Sequence, residues 1–204
     1  GDDQIIEIIY NLFNTNKFKI IANPEIKKIR ERFEYNKEEY KKFVELGFNL
    51  KKNKNPDLPK IELKEGIVLK SFQKMPINHM VTIPNTANFS IPGSGKTLMT
   101  LSSFNILKNQ NKIDQMWVIG PLASFKAWET DYDDFFDKPK LKHTIRYTGS
   151  KSERKELRKK LNDKDIVITS YKTATNDLDL IKLLWHNNNK KILLVLDESH
   201  HIKS

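Results

Sequence analysis

The sequence predicts an α/β fold, a central parallel sheet flanked by helices, preceded by a small helical N-terminal segment. Three observations predict it. Short β-rich runs alternate with helical stretches from about residue 88 onward. The runs are apolar on both faces, as strands covered on both sides are, and Ile192-Leu193-Leu194-Val195-Leu196 is the clearest of them. An apolar content of 38% over 204 residues is enough to bury a real core.

Taken in order, residues 4–13 carry Ile5, Ile6, Ile8, Ile9, Leu12 and Phe13, a broad apolar helical face. Asn23-Pro24 supplies a cap and a first-turn proline. Ile26, Ile29, Phe33, Tyr40, Phe43 and Val44 then recur at three- and four-residue spacing, and Gly47 is the predicted helix stop. This face either packs on its own core or docks a partner protein. Residues 51–60, lysine-rich with two prolines, read as a linker, so the predicted division is 1–60 as extension and linker and 61–204 as the α/β domain. Within that domain strands are predicted at 88–91, 116–119, 144–147, 165–170 and 192–196. Helices are predicted at 96–109, 125–136, 150–161 and 178–185, with Leu98, Met99, Leu101, Phe104, Ile106 and Leu107 as core.

Several function classes drop out. With no cysteine there are no disulfides, no thiolate catalysis and no cysteine-bound zinc. No apolar run approaches the ~20 residues of a membrane span, and the acidic start, Asp2-Asp3, is unlike a secretory signal. An intracellular location is expected: cytoplasm or nucleoid, or nucleus if eukaryotic. The net charge of +10 favours polyanionic partners. Lysine outnumbers arginine 31 to 5, however, and that bias can raise the charge by composition alone.

Ser90-Ile91-Pro92-Gly93-Ser94-Gly95-Lys96-Thr97 joins a predicted strand to a predicted helix, the context of a phosphate-binding loop. Gly93 and Gly95 let backbone N–H groups turn inward, Ser94 lies between them, and the helix N-terminus adds partial positive charge. Lys96 is expected to reach the β- and γ-phosphates of ATP, and Thr97 to bind Mg2+ through its hydroxyl. Ser90 stands where the motif has its first glycine. A structural turn with an incidental lysine is the competing reading.

About 100 residues later the last apolar run enters Asp197-Glu198-Ser199-His200. Carboxylates at the end of a buried strand need a metal or partners, and the carboxyl edge of a parallel sheet is where ligands bind. Asp197 is the expected second Mg2+ ligand, and Glu198 is expected to orient and deprotonate the attacking water. A strand running into a solvated loop gives the same pattern. His200 and His201, adjacent on one loop, make a poor metal pair.

Together these motifs give a chain that resembles the first RecA-like lobe of Swi/Snf-like ATPases in helicase superfamily two, over about residues 69–204. Leu69-Lys70-Ser71-Phe72-Gln73 resembles the adenine-reading segment, with Gln73 as reader. Ile119-Gly120-Pro121-Leu122, continuing to Trp128-Glu129, is similar to motif Ia, and the run 165–171 to motif Ib. Asp197-Glu198-Ser199-His200-His201-Ile202-Lys203 is similar to motif II, with Ser199 where alanine is usual and His201 where arginine is frequent. The resemblance implies a RecA-like P-loop NTPase lobe of an ATP-dependent motor on duplex DNA, with ATP and Mg2+ as cofactors. It also implies that motif III and a second RecA-like lobe carrying an arginine finger lie outside these residues. Ser124, Lys126 and Ser170, on the motif Ia and Ib loops, are then the expected backbone contacts to DNA.

Between Lys138 and Lys164 there are 11 basic and three acidic residues. Ser150 and Glu153 form a predicted capping box opening a basic helix, which either faces DNA or is a solvated face. The other function class left open is a non-hydrolysing nucleotide- or DNA-binding module acting through its helical N-terminal segment.

Overall fold

The computed structural model describes residues 24–136, 143–187 and 189–199. The predicted helix at 4–13 and the pair His200-His201 lie outside them. The chain divides into two compact units, Gly1–Lys52 and Asn53–Ser204. The first contains a single described helix, α1 (Pro24–Lys52), opened by the expected proline. It does not stop at Gly47. The glycine is absent from the residues with positive φ, so it stays in the ordinary helical region at a cost of about 1 kcal/mol.

The second unit opens with α2 (Ser71–Thr82) and α3 (Lys96–Asn109). Next come β1 (Gln115–Gly120), a 3-10 turn (Leu122–Ser124) and α4 (Phe125–Phe135). The remainder is β2 (Thr144–Arg146), α5 (Lys151–Arg158), β3 (Ile166–Ser170), α6 (Tyr171–Asn176), α7 (Leu178–Asn187) and β4 (Ile192–Leu196). The strands form one parallel sheet in the order β2-β3-β1-β4. This is the α/β architecture expected from strand–helix alternation.

The sheet is buried on both faces around β1 and β3, and side-chain alternation sorts the core. Met116 and Val118 join Ile166 and Ile168 under Leu101 and Phe104 of α3 and Trp128 and Tyr132 of α4. Trp117 and Val167 point the other way, to Tyr147, Leu161, Ala174 and Ile181. All six α3 residues expected in the core are buried. A third cluster, Ile77, Met99 and Ile106, seats α2 on α3 and is flanked by Leu58 and Ile61.

Within this unit three departures from the sequence reading stand out. Residues 88–91 are not a strand. The Asn88 side-chain oxygen accepts from the Ser90 amide (3.1 Å) and hydroxyl (2.6 Å), closing a turn, and Phe89 and Ile91 are 94% and 76% exposed. Alternation alone makes no strand without a neighbour, and among the described residues β4, the end strand on the β1 side, pairs only with β1. The second departure is at β4, where, among the described residues, one face stays open, with Leu194 and Leu196 46% and 47% exposed. The third is α2, a helix with Pro76 inside it that the sequence reading passed over.

Candidate functional site

The parallel register brings Gly120, Ser170 and the end of β4 to one edge of the sheet. There Asp197 extends the ladder by one residue, its amide donating to the Ile119 carbonyl at 2.8 Å. Two side chains close on it. The Trp128 indole N–H donates to Asp197 Oδ2 at 2.8 Å, and the Tyr171 hydroxyl donates to the Asp197 carbonyl at 2.8 Å. Burial, then Asp197 and Glu198, raises the Tyr171 hydroxyl's pKa, so it stays a donor at neutral pH. The close approach depends on Gly120, where a Cβ would lie 3.1 Å from both Asp197 Cβ and Ser124 Oγ. Glu198 is exposed and sits at φ +51°, a left-handed conformation that a non-glycine residue adopts at a cost of about 1 kcal/mol or more.

The glycine loop leads into α3. Gly93 and Gly95 both have positive φ, +77° and +83°, the conformations that favour glycine, and Gly95 is the N-cap of α3. Ser90 is not among the described residues with positive φ, so serine can occupy the motif's first glycine position without strain. Lys96 is not splayed into solvent. Its ammonium donates to the Ser90 carbonyl at 3.0 Å, spanning the loop. Ser94 Oγ is buried with no hydrogen-bond partner among the described residues.

Gln73 lies behind the loop, only 5% exposed. Its Oε1 accepts the Lys70 amide at 2.9 Å and its Nε2 donates to the Ser94 carbonyl at 3.0 Å. A Cβ on Gly95 would come within 2.6 Å of that Nε2. In this structure Gln73 braces the loop, with both ends of its amide engaged.

Helix α4 joins the two halves. Trp128 reaches Asp197, and one turn on lies Asp131, whose carboxyl the neighbouring Thr97 hydroxyl helps to hold down against burial. Burial raises the Asp131 carboxyl above the ordinary value, the Thr97 bond opposes this, and Asp134 adds to it. The sequence reading missed Asp131, and it took Gly120 and Tyr171 only as members of the motif Ia and Ib segments. A polar residue three positions after Trp128, on the face of α4 that carries Tyr132 into the core, was the available signal for Asp131.

The expected nucleic-acid residues gather near the Gly120 edge but do different local work. Lys126 is exposed at the start of α4. Ser124 donates to the Pro121 carbonyl at 3.0 Å, holding the turn before α4. Ser170 caps α6, accepting the Thr173 amide at 3.1 Å. The capping box of α5 is present, with Glu153 accepting the Ser150 amide at 2.6 Å. The WE pair also anchors β2: Glu129, 6% exposed, accepts Arg146 through both carboxylate oxygens.

No group of three or more His, Asp or Glu residues able to hold a metal occurs among the described residues. Mg2+ is ordinarily held by one or two carboxylates together with phosphate oxygens and water, and Thr97 with Asp197 is a donor set of that kind. The left-handed glycines, the orphaned Ser94 hydroxyl and the helix N-terminus fit a phosphate group. No described helix is long and apolar enough to cross a membrane.

The described residues thus place a glycine loop at the start of one helix and a bonded carboxylate at the edge of the parallel sheet. Residues 89–204 match the SNF2-related domain, and the chain belongs to that family. It is 34% identical over 117 residues to the ATP-dependent helicase fft3 of Schizosaccharomyces pombe, covering 55% of this chain and 12% of that protein. It is 32% identical over 152 residues to the ATP-dependent DNA helicase DDM1 of Arabidopsis thaliana, covering 70% of this chain and 19% of that one. The chain thus spans less than a fifth of the length of these two relatives. A Sulfolobus solfataricus SWI2/SNF2 ATPase core, solved in complex with dsDNA, overlays with a TM-score of 0.47 and 22% identity over 68% of this chain and 33% of that one.

Proposed function

We propose that residues 61–204 are the nucleotide-binding lobe of an ATP-dependent motor that moves on duplex DNA, with residues 1–60 as an appended helical element. The observation that carries this reading is the shared anchorage on α4. Asp197 is bonded by Trp128 of α4, and Asp131, one turn on along the same helix, has beside it the hydroxyl of Thr97, 100 residues before Asp197 in sequence. A turn with an incidental lysine has no reason to meet an acidic strand end in this way. Family membership and two relatives named as ATP-dependent helicases, one of them a DNA helicase, support the same reading.

In this reading the N–H groups of the glycine loop and the first turn of α3 receive the phosphates. Lys96 exchanges the Ser90 carbonyl for phosphate oxygens, and Gln73 either keeps bracing the loop or turns to the base. Thr97 and Asp197 would hold Mg2+, and the metal would supply positive charge against the phosphates. Glu198 takes the proton of the attacking water, a general-base contribution of ~10²–10⁴ in rate. Lys126 and the neighbouring turn grip the DNA backbone, a contact that carries little sequence information.

Lys96→Ala tests the assignment. It removes the charge that meets the phosphates, and a fluorescent ATP analogue should bind it at least about tenfold more weakly, as expected for losing a charge-assisted bond worth ~1.5–3 kcal/mol. Circular dichroism checks the fold. Equal affinity in both proteins rejects the phosphate-loop assignment. Glu198→Gln should bind the analogue like the parent chain, and in whatever form of the protein hydrolyses ATP it should stop turnover.

A further inference from the structure

We propose that Trp128 and Asp131 of α4 are positioning residues that orient Asp197 and Thr97 for Mg2+ before the metal arrives. This rests on the nucleotide-site reading above and adds two residues to it. Trp128 is 5% exposed, and a buried indole N–H usually finds an acceptor. Core packing alone would accept a carbonyl or any nearby oxygen. Here the acceptor is one oxygen of the Asp197 carboxylate. With Oδ2 engaged, the carboxylate can no longer rotate freely, and Oδ1 becomes the oxygen presented to a cation. The Asp197 backbone is fixed at the same time by Ile119 and Tyr171.

Asp131 acts on the other ligand by complementary chemistry. A hydroxyl binds a cation through a lone pair, so its proton must point elsewhere. The half-buried Asp131 carboxylate lies beside Thr97, and in this proposal it takes that proton and turns the lone pairs outward. Outer partners of this kind commonly govern metal affinity without touching the metal. Trp128 and Asp131 lie at i and i+3 on one helix face, so a single rigid element sets the spacing of both ligands.

The test is calorimetric titration of the 204-residue chain with ATP, once with Mg2+ and once with the metal chelated. Trp128→Phe and Asp131→Ala should bind metal-free ATP as the parent does, because the loop and Lys96 are untouched. They should lose about tenfold or more in affinity for the Mg2+ complex, within the ~10–100-fold range of outer-partner substitutions. Asp131→Asn keeps an acceptor for the Thr97 proton and should return to within about threefold of the parent. A purely structural role would lower both affinities together, with the unfolding midpoint, and would overturn the proposal. So would unchanged Mg2+ dependence, or an Asp131→Asn protein as impaired as Asp131→Ala. If Trp128→Phe does not fold, the two Asp131 substitutions carry the test by themselves. A parent chain that fails to bind ATP at all overturns the nucleotide-site reading and this proposal with it. Binding with variant-independent Mg2+ sensitivity overturns the proposal alone.

Discussion

Arg154 and Asp177 form a two-pronged ion pair, Nε to Oδ2 at 2.8 Å and Nη2 to Oδ1 at 2.9 Å, with side chains 12% and 7% exposed. The Tyr147 hydroxyl donates to the same Oδ2 at 2.5 Å, and Arg154 Nη1 donates to the Gly149 carbonyl at 2.6 Å. The pair fastens the basic helix α5 to the segment joining α6 and α7. The charge of Arg154 is therefore turned into the fold. The positive surface of α5 rests on its lysines and Arg158, and Lys159 is itself paired with Glu156 at 2.7 Å.

That pair predicts an acid-sensitive contribution to stability. Arg154, against the opposing effect of burial and with help from Tyr147, lowers the Asp177 carboxyl from 3.8 to about 2. Because the folded-state value lies below the unfolded one, the stabilisation is fully present above about pH 4 and fades as pH falls towards 2. Its size is about 2 kcal/mol by linkage. Asp177→Ala should cost more near neutrality, about 3 kcal/mol or above, because it leaves Arg154 buried and unpaired. Urea unfolding of both proteins from about pH 7 to about pH 2.5 checks this, and the gap between them should narrow only below about pH 4.

The glycine positions make a sharper structural prediction. Gly95→Ala meets two penalties, a left-handed φ of +83° and a Cβ 2.6 Å from Gln73 Nε2. It should destabilise by roughly 1–3 kcal/mol and weaken ATP-analogue binding, with Gln73→Ala partly relieving the clash. Gly120→Ala lacks the φ penalty but puts a methyl 3.1 Å from Asp197 Cβ, backbone-anchored and unable to yield as the Ser124 hydroxyl can. A loss of about 1–3 kcal/mol from overpacking is expected in thermal melts.

DNA binding, if it rests on phosphates, should be indifferent to sequence and steep in salt. Lys126→Gln should lower the slope of log K against log salt by about 0.9, one phosphate contact. Replacing Lys155, Arg158 and Lys159 together should change it by less than three contacts, because the Lys159 ammonium is already paired with Glu156 and Arg158 Nε bonds the Arg154 carbonyl at 3.2 Å. Fluorescence anisotropy on duplex DNA across a salt series distinguishes the two surfaces. No change with either variant would mean that the basic surplus is a matter of composition.

Much of the sheet was legible because its strands are short apolar runs bounded by polar residues, and β4 matches its expected bounds residue for residue. Helix α3 did too, opened by a glycine loop and filled with apolar residues. What escaped was tertiary. Pro76 argued against a helix at 71–82, yet Ile77 is fully buried against α3, and packing overrides the local penalty. Residues 88–91 had a strand's alternation but no neighbour to complete it. The links from Trp128 to Asp197 and from Asp131 to Thr97 cross 69 and 34 positions of sequence, and no local pattern encodes such a meeting.

The two forked ion pairs have a meaning for the chain's vocabulary. This sequence writes its positive charge as lysine 31 times and as arginine only five. Two of the five, Arg146 and Arg154, each grip a buried carboxylate with two nitrogens at once. An ammonium is a point charge on a flexible stem and cannot reproduce that planar fork. The chain's preference for lysine therefore meets a geometric limit at these two sites. Lysine there would keep the charge and lose the joint that holds β2 to α4, or α5 to the loop before α7.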